Sequence, residues 1–508
     1  MGYYVTTPIY YVNAQPHLGH AYTTIAADVL ARHMRQRGEE VFFLTGTDEH
    51  GEPVAHVAER EGVPPKELAD RNHVHFKEMV SRIDASNDFF IRTTDGQHEA
   101  FVAQFMQGLH DRGILYEGDY EGWYCPSCAD FKTEQELLEG NLCPIHKIAV
   151  ERVSERNWFF PLSKYQEQLE KLFAERPDWI LPKARYNEAL GFIKQGLADV
   201  SVTRAKLTWG VRVPWDTGQV FYVWFDALLN YLSALTYAGD RDLTSEFWPA
   251  DYHLIGKDIL KFHAVIWPAM LMAAELELPR KLFIHGYLLM QGEKMSKTLG
   301  NVLDPFQVID VYGTDALRYY CLREVSFGAD GSISTDGFES RYKAELANDY
   351  GNLVSRTIAM IARYRDGVVP EANASSELAA DLEGLREAVE RRLDAAELTL
   401  ALEEIWTRGV RRLNRYVEEQ APWNLAKQSG AAGDLDQVLY SLAEGLRVVT
   451  VLLHPYMPST TERLLAALGD GSGEALALER AQFGAGPGGT MVEQLAPLFP
   501  KIDAGEAG

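Results

Sequence analysis

The first fifty residues restrict the fold more than any other stretch. Residues 3–11 are rich in Tyr, Val, Thr and Ile and suit a strand, while residues 20–37 place Ile25, Val29, Leu30 and Met34 at helical spacing until Gly38 stops them. Val41-Phe42-Phe43-Leu44 follows as a short apolar run of the kind buried on both faces of a parallel sheet. Strand, helix and strand in this order predict a βαβ unit and a doubly wound, Rossmann-type α/β domain. The pattern resumes at Val220-Phe221-Tyr222-Val223-Trp224, at Tyr252-His253-Leu254-Ile255-Gly256 and at Lys281-Leu282-Phe283-Ile284-His285-Gly286. These runs read as further strands, ending at glycines and polar residues where open sheets of this type hold their ligands.

Between the two halves, residues 112–214 lose the alternation of strand and helix and hold three of the four cysteines. They read as an insertion. Beyond about residue 340 the chain becomes helical, with Ala, Leu, Glu and Arg at 3.6-like spacing over residues 378–419. The expected organisation is therefore residues 1–115 and 216–340 as the halves of a catalytic nucleotide-binding domain, 116–215 as a connective insertion, and 341–508 as an α-helical domain. Nothing further is expected after the Gly- and Ala-rich segment from Gly469, which favours a monomer.

Composition narrows the functional classes. The chain's net charge of −24, from 49 Lys and Arg against 73 Asp and Glu, opposes a general coating of nucleic acid or of an anionic membrane, while leaving room for a local basic face. Arg408, Arg411, Arg412 and Arg415 share one helical face and are a candidate for it, although a solvated charged face reads as well. There is no basic segment followed by an apolar one at the N-terminus and no long uncharged apolar run, so a soluble, cytoplasmic protein without membrane contact is expected.

Three motifs carry chemistry. Pro16-His17-Leu18-Gly19-His20 lies between the first strand and its helix, where two imidazoles, a glycine and the helix N-terminus can receive phosphate oxygens. Taken alone, a metal pair or two histidines in a turn explains it equally. Gly292-Glu293-Lys294-Met295-Ser296-Lys297-Thr298-Leu299-Gly300-Asn301 puts two lysines around a hydroxyl in a glycine-bounded loop, either a cationic flap for transferring phosphates or a solvated turn. Cys125-Pro126-Ser127-Cys128 with Cys143-Pro144-Ile145-His146 has the spacing of a Cys₃His zinc knuckle, a closed structural site; the alternative is reduced thiols without metal. Cys321 stands apart and reads as a buried strand residue.

His17-Leu18-Gly19-His20 and Lys294-Met295-Ser296-Lys297-Thr298, taken together, resemble the paired signatures of class I aminoacyl-tRNA synthetases. Thr6-Thr7-Pro8-Ile9-Tyr10-Tyr11-Val12-Asn13, Thr45-Gly46-Thr47-Asp48-Glu49-His50-Gly51, Phe221-Tyr222-Val223-Trp224-Phe225-Asp226-Ala227 and Gln420-Ala421-Pro422-Trp423 narrow the resemblance to the methionyl-tRNA synthetase family. It runs over nearly the whole chain. Thr298 stands where the family's flap commonly has Ser, and Leu228 where it often has Pro.

The resemblance implies activation of L-methionine by ATP and Mg²⁺ to methionyl-adenylate and pyrophosphate, then transfer to the 3′ end of methionine tRNA, with no obligate protein partner. It assigns triphosphate binding to His17, Gly19 and His20, and charge neutralisation to Lys294 and especially Lys297. Gly256 and Asp258 fall at the ATP ribose. Ile9, Tyr11, Trp224, Ala227, Tyr231, Ile259 and His263 fall in the amino-acid pocket, where aromatic faces suit a polarizable thioether, with Asp48 on the α-ammonium. Asn352, Arg356 and Trp423 fall at the anticodon, and residues 341–508 become the anticodon-binding domain.

Relatives specific for isoleucine, valine or leucine carry a large editing insertion, for which residues 116–215 leave no room. A cysteinyl enzyme would hold its zinc in the substrate pocket. Readings as a non-catalytic RNA- or zinc-binding protein, or as a hydrolase using His17, His20, Asp48 and His50, leave the lysine loop or the helical domain unexplained.

Overall fold

A computed structural model of the chain describes residues 2–126, 130–132, 134–145, 147–290, 293–294 and 304–502. The chain forms two compact units: Met1–Pro16, Val41–Val80 and Asn87–His285 make one, and His17–Glu40, Ser81–Ser86 and Gly286–Gly508 the other.

The first unit is built on a six-stranded sheet. Strands β1 (Tyr3–Tyr11), β2 (Val41–Asp48) and β3 (Phe89–Arg92) join Tyr252–Gly256, Lys281–His285 and Ile180–Leu181 in the order β3, β2, β1, Tyr252–Gly256, Lys281–His285, Ile180–Leu181. Every neighbouring pair is parallel. Residues 42–48 and 252–256 are buried throughout, as a sheet covered on both faces requires. Gly46 is there because a Cβ would lie 2.1 Å from the Ile91 carbonyl oxygen of β3. The strand order reverses between β1 and Tyr252–Gly256, so their carboxyl ends open the crevice where folds of this type bind ligands. Tyr11, Asp48 and Gly256 stand at those ends.

The insertion is an antiparallel sheet in the order Asp130–Lys132, Tyr116–Cys125, Glu151–Phe160, Val200–Ser201. From the same stretch Ile180–Leu181 returns to pair with the main sheet, an edge strand too short to leave a periodic signal.

One expected strand is only partly a strand, and another is a helix. Residues 220–224 are not a strand of the parallel sheet: Asp216–Phe221 pairs antiparallel with Thr203–Arg204 and Arg212–Val213, and Val223–Ala227 is a helix. Cys321 is buried, but in the helix Thr314–Glu324. Both errors have one cause, since a short buried apolar run looks the same in a strand and in an enclosed helix.

In the second unit helix α1 (Leu18–Gln36) is tied to Thr314–Glu324 by an ion pair with no solvent exposure, Arg318 Nη2 to Asp28 Oδ2 at 2.6 Å. Arg318 also donates to the carbonyls of Tyr456, Pro455 and Ile83, while Asp28 accepts from Arg32 and from the Ser86 amide and hydroxyl. The polar atoms are thus saturated, as buried charges must be. Residues 378–419 form several helices rather than one, broken at Gly384 (φ +70°) and Ala396 (φ +55°). Ala432–Leu453 is buried along nearly its full length and forms the middle of the helical part. Among the described residues no helix is long and apolar enough to cross a membrane.

Candidate active site

One side of the crevice is an aromatic wall. The helix Val223–Ala227 presents Trp224, whose ring stacks on Phe262 at 3.7 Å and meets His263 edge-on. The backbone carbonyl of Ile259 accepts from His263 Nδ1–H at 3.0 Å, which leaves Nε2 as an acceptor for the Tyr231 hydroxyl at 2.8 Å. Burial lowers the His263 pKa to about 4, so this relay is neutral. Behind it His253 stacks on Tyr231 at 4.1 Å. Ala227 is buried one turn along from Trp224, and its carbonyl accepts from Asn230. Trp224, Ala227, Tyr231, Ile259 and His263 therefore come together, and Ile9 packs against the same core.

Asp48 ends β2, directly opposite Tyr11 in the β1–β2 register. Only 3% of the residue is exposed, and its Oδ1 has no hydrogen-bond partner. Burial, reinforced by the nearby Asp226 carboxylate, lifts its carboxyl well above the usual carboxylate range. The neighbouring buried charges are differently placed. Arg92 clamps Glu49 with two bonds of 2.7 and 2.8 Å, joined by the Thr47 and Thr94 hydroxyls. His50 Nδ1 donates to Asp226 Oδ2 at 2.7 Å, and His98 Nε2 donates to Asp226 Oδ1 at 2.7 Å.

At the other named strand end, a Cβ on Gly256 would stand 2.6 Å from the Asp258 carboxylate. Glycine here keeps the backbone accessible beside that acid.

In the second unit His17 and His20 cap α1 reciprocally. His17 Nδ1 accepts from the Gly19 amide at 3.0 Å, and His20 Nδ1 accepts from the His17 amide at 3.1 Å, with the rings stacked at 3.8 Å. An Nδ1 that accepts carries no proton, so each neutral ring holds its hydrogen on Nε2. No acidic residue occupies the first turn of this helix. The arrangement thus supplies two imidazole donors at a positive helix end, which is chemistry for phosphate oxygens. Lys294 lies in the strand Glu293–Lys294, paired with Leu288–Met290. Lys297 lies outside the described residues.

Of the zinc-knuckle residues, Cys125 and Cys143 are fully buried in a small apolar cluster with Val150, Trp123 and Leu137. Cys143 sits in a tight turn, its amide donating to the Ile148 carbonyl and its carbonyl accepting from Lys147, each at 2.8 Å. Cys128 and His146 lie outside the described residues. Among the described residues no group of three or more His, Cys, Asp and Glu is placed to hold a metal.

In the helical part, Asn352 begins the helix Asn352–Arg365 and is exposed one turn before Arg356. The Arg356 guanidinium lies 5.6 Å from the centre of the Trp423 ring and 2.7 Å from Glu418. Arg356 and Arg415 line one cleft of about 380 Å³. The expected arginine stripe is not an open basic face. Arg408 pairs with Glu404, Arg411 with Glu345 and Asp349, and Arg412 is buried against Glu377, Asp381 and Glu419. Spacing put these arginines on one face; Glu404 and Glu419 answer from the same stretch of helix, and Glu345, Asp349, Glu377 and Asp381 from other helices.

Sequence reasoning missed Asp226, His98, Arg92 and Phe262 as part of the site's frame. An aspartate inside the apolar run Val223-Trp224-Phe225-Asp226-Ala227 was the available signal, since a buried acid needs a partner.

A doubly wound parallel sheet, a histidine-capped helix after its first strand and a helical C-terminal part are the arrangement of a class I aminoacyl-tRNA synthetase. The family model described as class I tRNA synthetases (M) matches residues 3–153 and 132–358, and that of the anticodon-binding domain of methionyl tRNA ligase matches 368–507. The methionine–tRNA ligase of Caldanaerobacter subterraneus subsp. tengcongensis is 46% identical, over 99% of this chain and 79% of its own. That of Streptomyces coelicolor is also 46% identical, over 99% and 97%. A structure of Mycobacterium tuberculosis methionyl-tRNA synthetase in complex with methionyl-adenylate superposes with a TM-score of 0.94 at 40% identity, covering 99% of this chain and 100% of that one. The chain belongs to the methionyl-tRNA synthetase family.

Proposed function

We propose that the chain is a methionine–tRNA ligase that performs its family's two-step reaction with the residues gathered above. The carboxylate of L-methionine attacks the α-phosphorus of ATP and pyrophosphate leaves; a hydroxyl of the terminal adenosine of methionine tRNA then displaces AMP from the acyl carbon. Neither step needs a nucleophilic side chain. Both need positioning and charge stabilisation.

The observation that carries the assignment is the buried Asp48 carboxylate with an unpartnered oxygen at the end of β2. Burial and the Asp226 carboxylate disfavour its charge more than the nearby His50 favours it, and a substrate α-ammonium would supply both a hydrogen bond to that oxygen and the counter-charge. Trp224, Ala227, Tyr231, Ile259 and His263, with Ile9 and Tyr11, enclose the thioether. The neutral Tyr231–His263 relay presents no charge to it. His17 and His20 donate from Nε2 to triphosphate oxygens, Gly19 permits close approach, and Gly256 and Asp258 hold the ribose. Lys294 and Lys297 neutralise the charge developing on pyrophosphate. Mg²⁺ comes with ATP and, when bound, shares that neutralisation.

Asn352, Arg356 and Trp423 read the anticodon, an aromatic ring and polar donors being what unstacked bases require. Residues 1–115 and 216–340 serve as the catalytic domain, 116–215 as the insertion and 341–508 as the anticodon domain. Cys125 and Cys143 fit half of a zinc site that Cys128 and His146 would complete. When bound, zinc would pin two turns together and leave no position for substrate. The enzyme works in the cytoplasm.

The decisive experiment is ATP–pyrophosphate exchange with each amino acid in turn. Exchange dependent on methionine is expected; equal exchange with isoleucine, or none with any amino acid, rejects the assignment.

A further inference from the structure

His50, His98 and Asp226 are 2%, 0% and 1% exposed, and the reaction as described uses none of them directly. Buried ionisable groups are costly unless they are paired, so such a cluster beside a substrate site invites a reason. The cluster connects two segments. His50 lies two residues after Asp48, and its own amide donates to the Asp48 carboxylate. Asp226 lies on the helix Val223–Ala227 between Trp224 and Ala227. The bond from His50 Nδ1 to Asp226 Oδ2, 2.7 Å long, therefore joins the turn that holds Asp48 to the helix that presents the aromatic wall.

The rest of the frame fixes both ends of that bond. His98 Nε2 takes the other oxygen of Asp226, and its Nδ1 lies 2.7 Å from Ser233 Oγ, so the carboxylate cannot turn. Glu49, between Asp48 and His50, is clamped from the opposite side by Arg92, and its carbonyl accepts from Trp209 Nε1 at 2.6 Å. Gly51, at φ +86°, lets the turn approach the helix so closely that a Cβ there would lie 3.0 Å from Val223 Cβ.

We propose that Asp226, held between His50 and His98, is a positioning residue that sets the distance between the ammonium-binding carboxylate and the thioether-binding wall, and so selects the length of the amino acid. This rests on the reading of Asp48 and Trp224 as the methionine site. The charges agree with it. Burial would lower the His50 pKa, but Asp226 and Glu99 overcome that and push it up to about 10. Burial would raise Asp226, and the two histidines hold it at about 2. Each partner is thus shifted toward its charged form, whereas Asp48 is shifted toward its neutral form by burial and by Asp226.

The test is ATP–pyrophosphate exchange on the purified full chain carrying Asp226→Asn, His50→Gln or Asp48→Asn. Asp226→Asn keeps the shape and removes the charge. It is expected to raise the KM for methionine about tenfold or more while the KM for ATP stays within about twofold, a split that simple loss of structure would not produce. The double variant His50→Gln with Asp226→Asn should be no worse than the worse single variant, because both break one link. The margin by which norvaline, one chain atom shorter than methionine, and ethionine, one methylene longer, are rejected should narrow in both. If Asp226→Asn fails to fold, His98→Gln, which retains a donor to Asp226, replaces it and should show a smaller rise of the same kind. Unchanged methionine KM in Asp226→Asn or His98→Gln, with a raised one in Asp48→Asn, overturns the positioning role alone. Unchanged methionine KM in Asp48→Asn overturns the site reading and this proposal with it.

Discussion

Replacing Asp48 by Asn tests the site most directly, because Asn has nearly the same shape and can still accept the His50 amide. What it loses is charge in a water-poor place. Removing one member of a buried, hydrogen-bonded charge pair costs about 2–5 kcal/mol. The lower part of that range applies here, since the empty site already holds the carboxyl well above its usual range and methionine must first displace its proton. A loss of about 2–3 kcal/mol corresponds to a rise in methionine KM of about 30- to 150-fold. The KM for ATP should stay put, and kcat should fall less than the KM rises, since the attacking group is the substrate's own carboxylate. The pH dependence has a definite sign. The ammonium of bound methionine lowers the Asp48 pKa, so binding expels a proton, and affinity should climb with pH until the raised pKa of the empty site is passed. Asp226, at about 2, and His50, at about 10, keep their charges through that interval and add no slope. Calorimetric titration of methionine in buffers of different ionisation enthalpy measures the released proton; the wild type should release one in part and Asp48→Asn none. A variant with unchanged methionine KM and the same proton release refutes the assignment of Asp48.

Lys297→Ala should lower the exchange rate by about 100-fold or more while methionine binding stays within a few-fold, as expected of a group that acts on charge formed in the transition state; an unchanged rate removes it from the mechanism. Asp28→Asn leaves the Arg318 guanidinium buried with carbonyls alone and should cost about 3 kcal/mol in urea unfolding. Burial would raise the Asp28 pKa, but Arg318, Arg32 and Ser86 lower it below its unfolded value. The stability difference from wild type should therefore be fully present above the ordinary carboxylate range and disappear as pH falls through the depressed pKa. Zinc content near one per chain is expected by metal analysis, lost in Cys143→Ser, with activation of methionine far less affected than thermal stability.

The features that could be read from the sequence were those in which a local pattern and a tertiary requirement coincide. Residues 3–11, 41–44, 252–256 and 281–285 are apolar because a parallel sheet covered on both faces needs them so, and their runs are long enough to register. Ile180–Leu181 joins the same sheet with two residues, below any period, and only its partner Lys281–His285 defines it. Of residues 220–224, Val220 and Phe221 do lie in a strand, but Val223 and Trp224 open a helix, and a helix enclosed on all sides carries the apolar density of a strand. Among site residues, the motifs supplied identities and a resemblance supplied roles, but neither could supply counter-charges. Arg411 and Arg412 read equally as a nucleic-acid face or a solvated one, and only the fold brings Glu345, Asp349, Glu377 and Asp381, distant in sequence, against them. A charge reads from the sequence as one letter, and its partner is decided by the fold.

That distinction also explains why Asp48 stands out. Three other buried carboxylates have cationic partners at hydrogen-bond distance, Asp28 with Arg318, Glu49 with Arg92 and Asp226 with His50, whereas Asp48 and Asp315 each keep one oxygen without a hydrogen-bond partner. Glu49 and Asp226 lie within the same few residues or contacts as Asp48, so the fold has no difficulty in placing cations there. Held above its ordinary range by burial and by Asp226, the Asp48 carboxyl is destabilising in its charged form, a cost proteins accept at binding sites. On the proposed reading this also gives selectivity, since a ligand that lacks an ammonium gains nothing from the carboxyl. An acid matched internally would hold the fold and be indifferent to substrate. On the proposed reading the substrate's own charge completes the site at Asp48, and the neighbouring bond between His50 and Asp226 holds that acid in place.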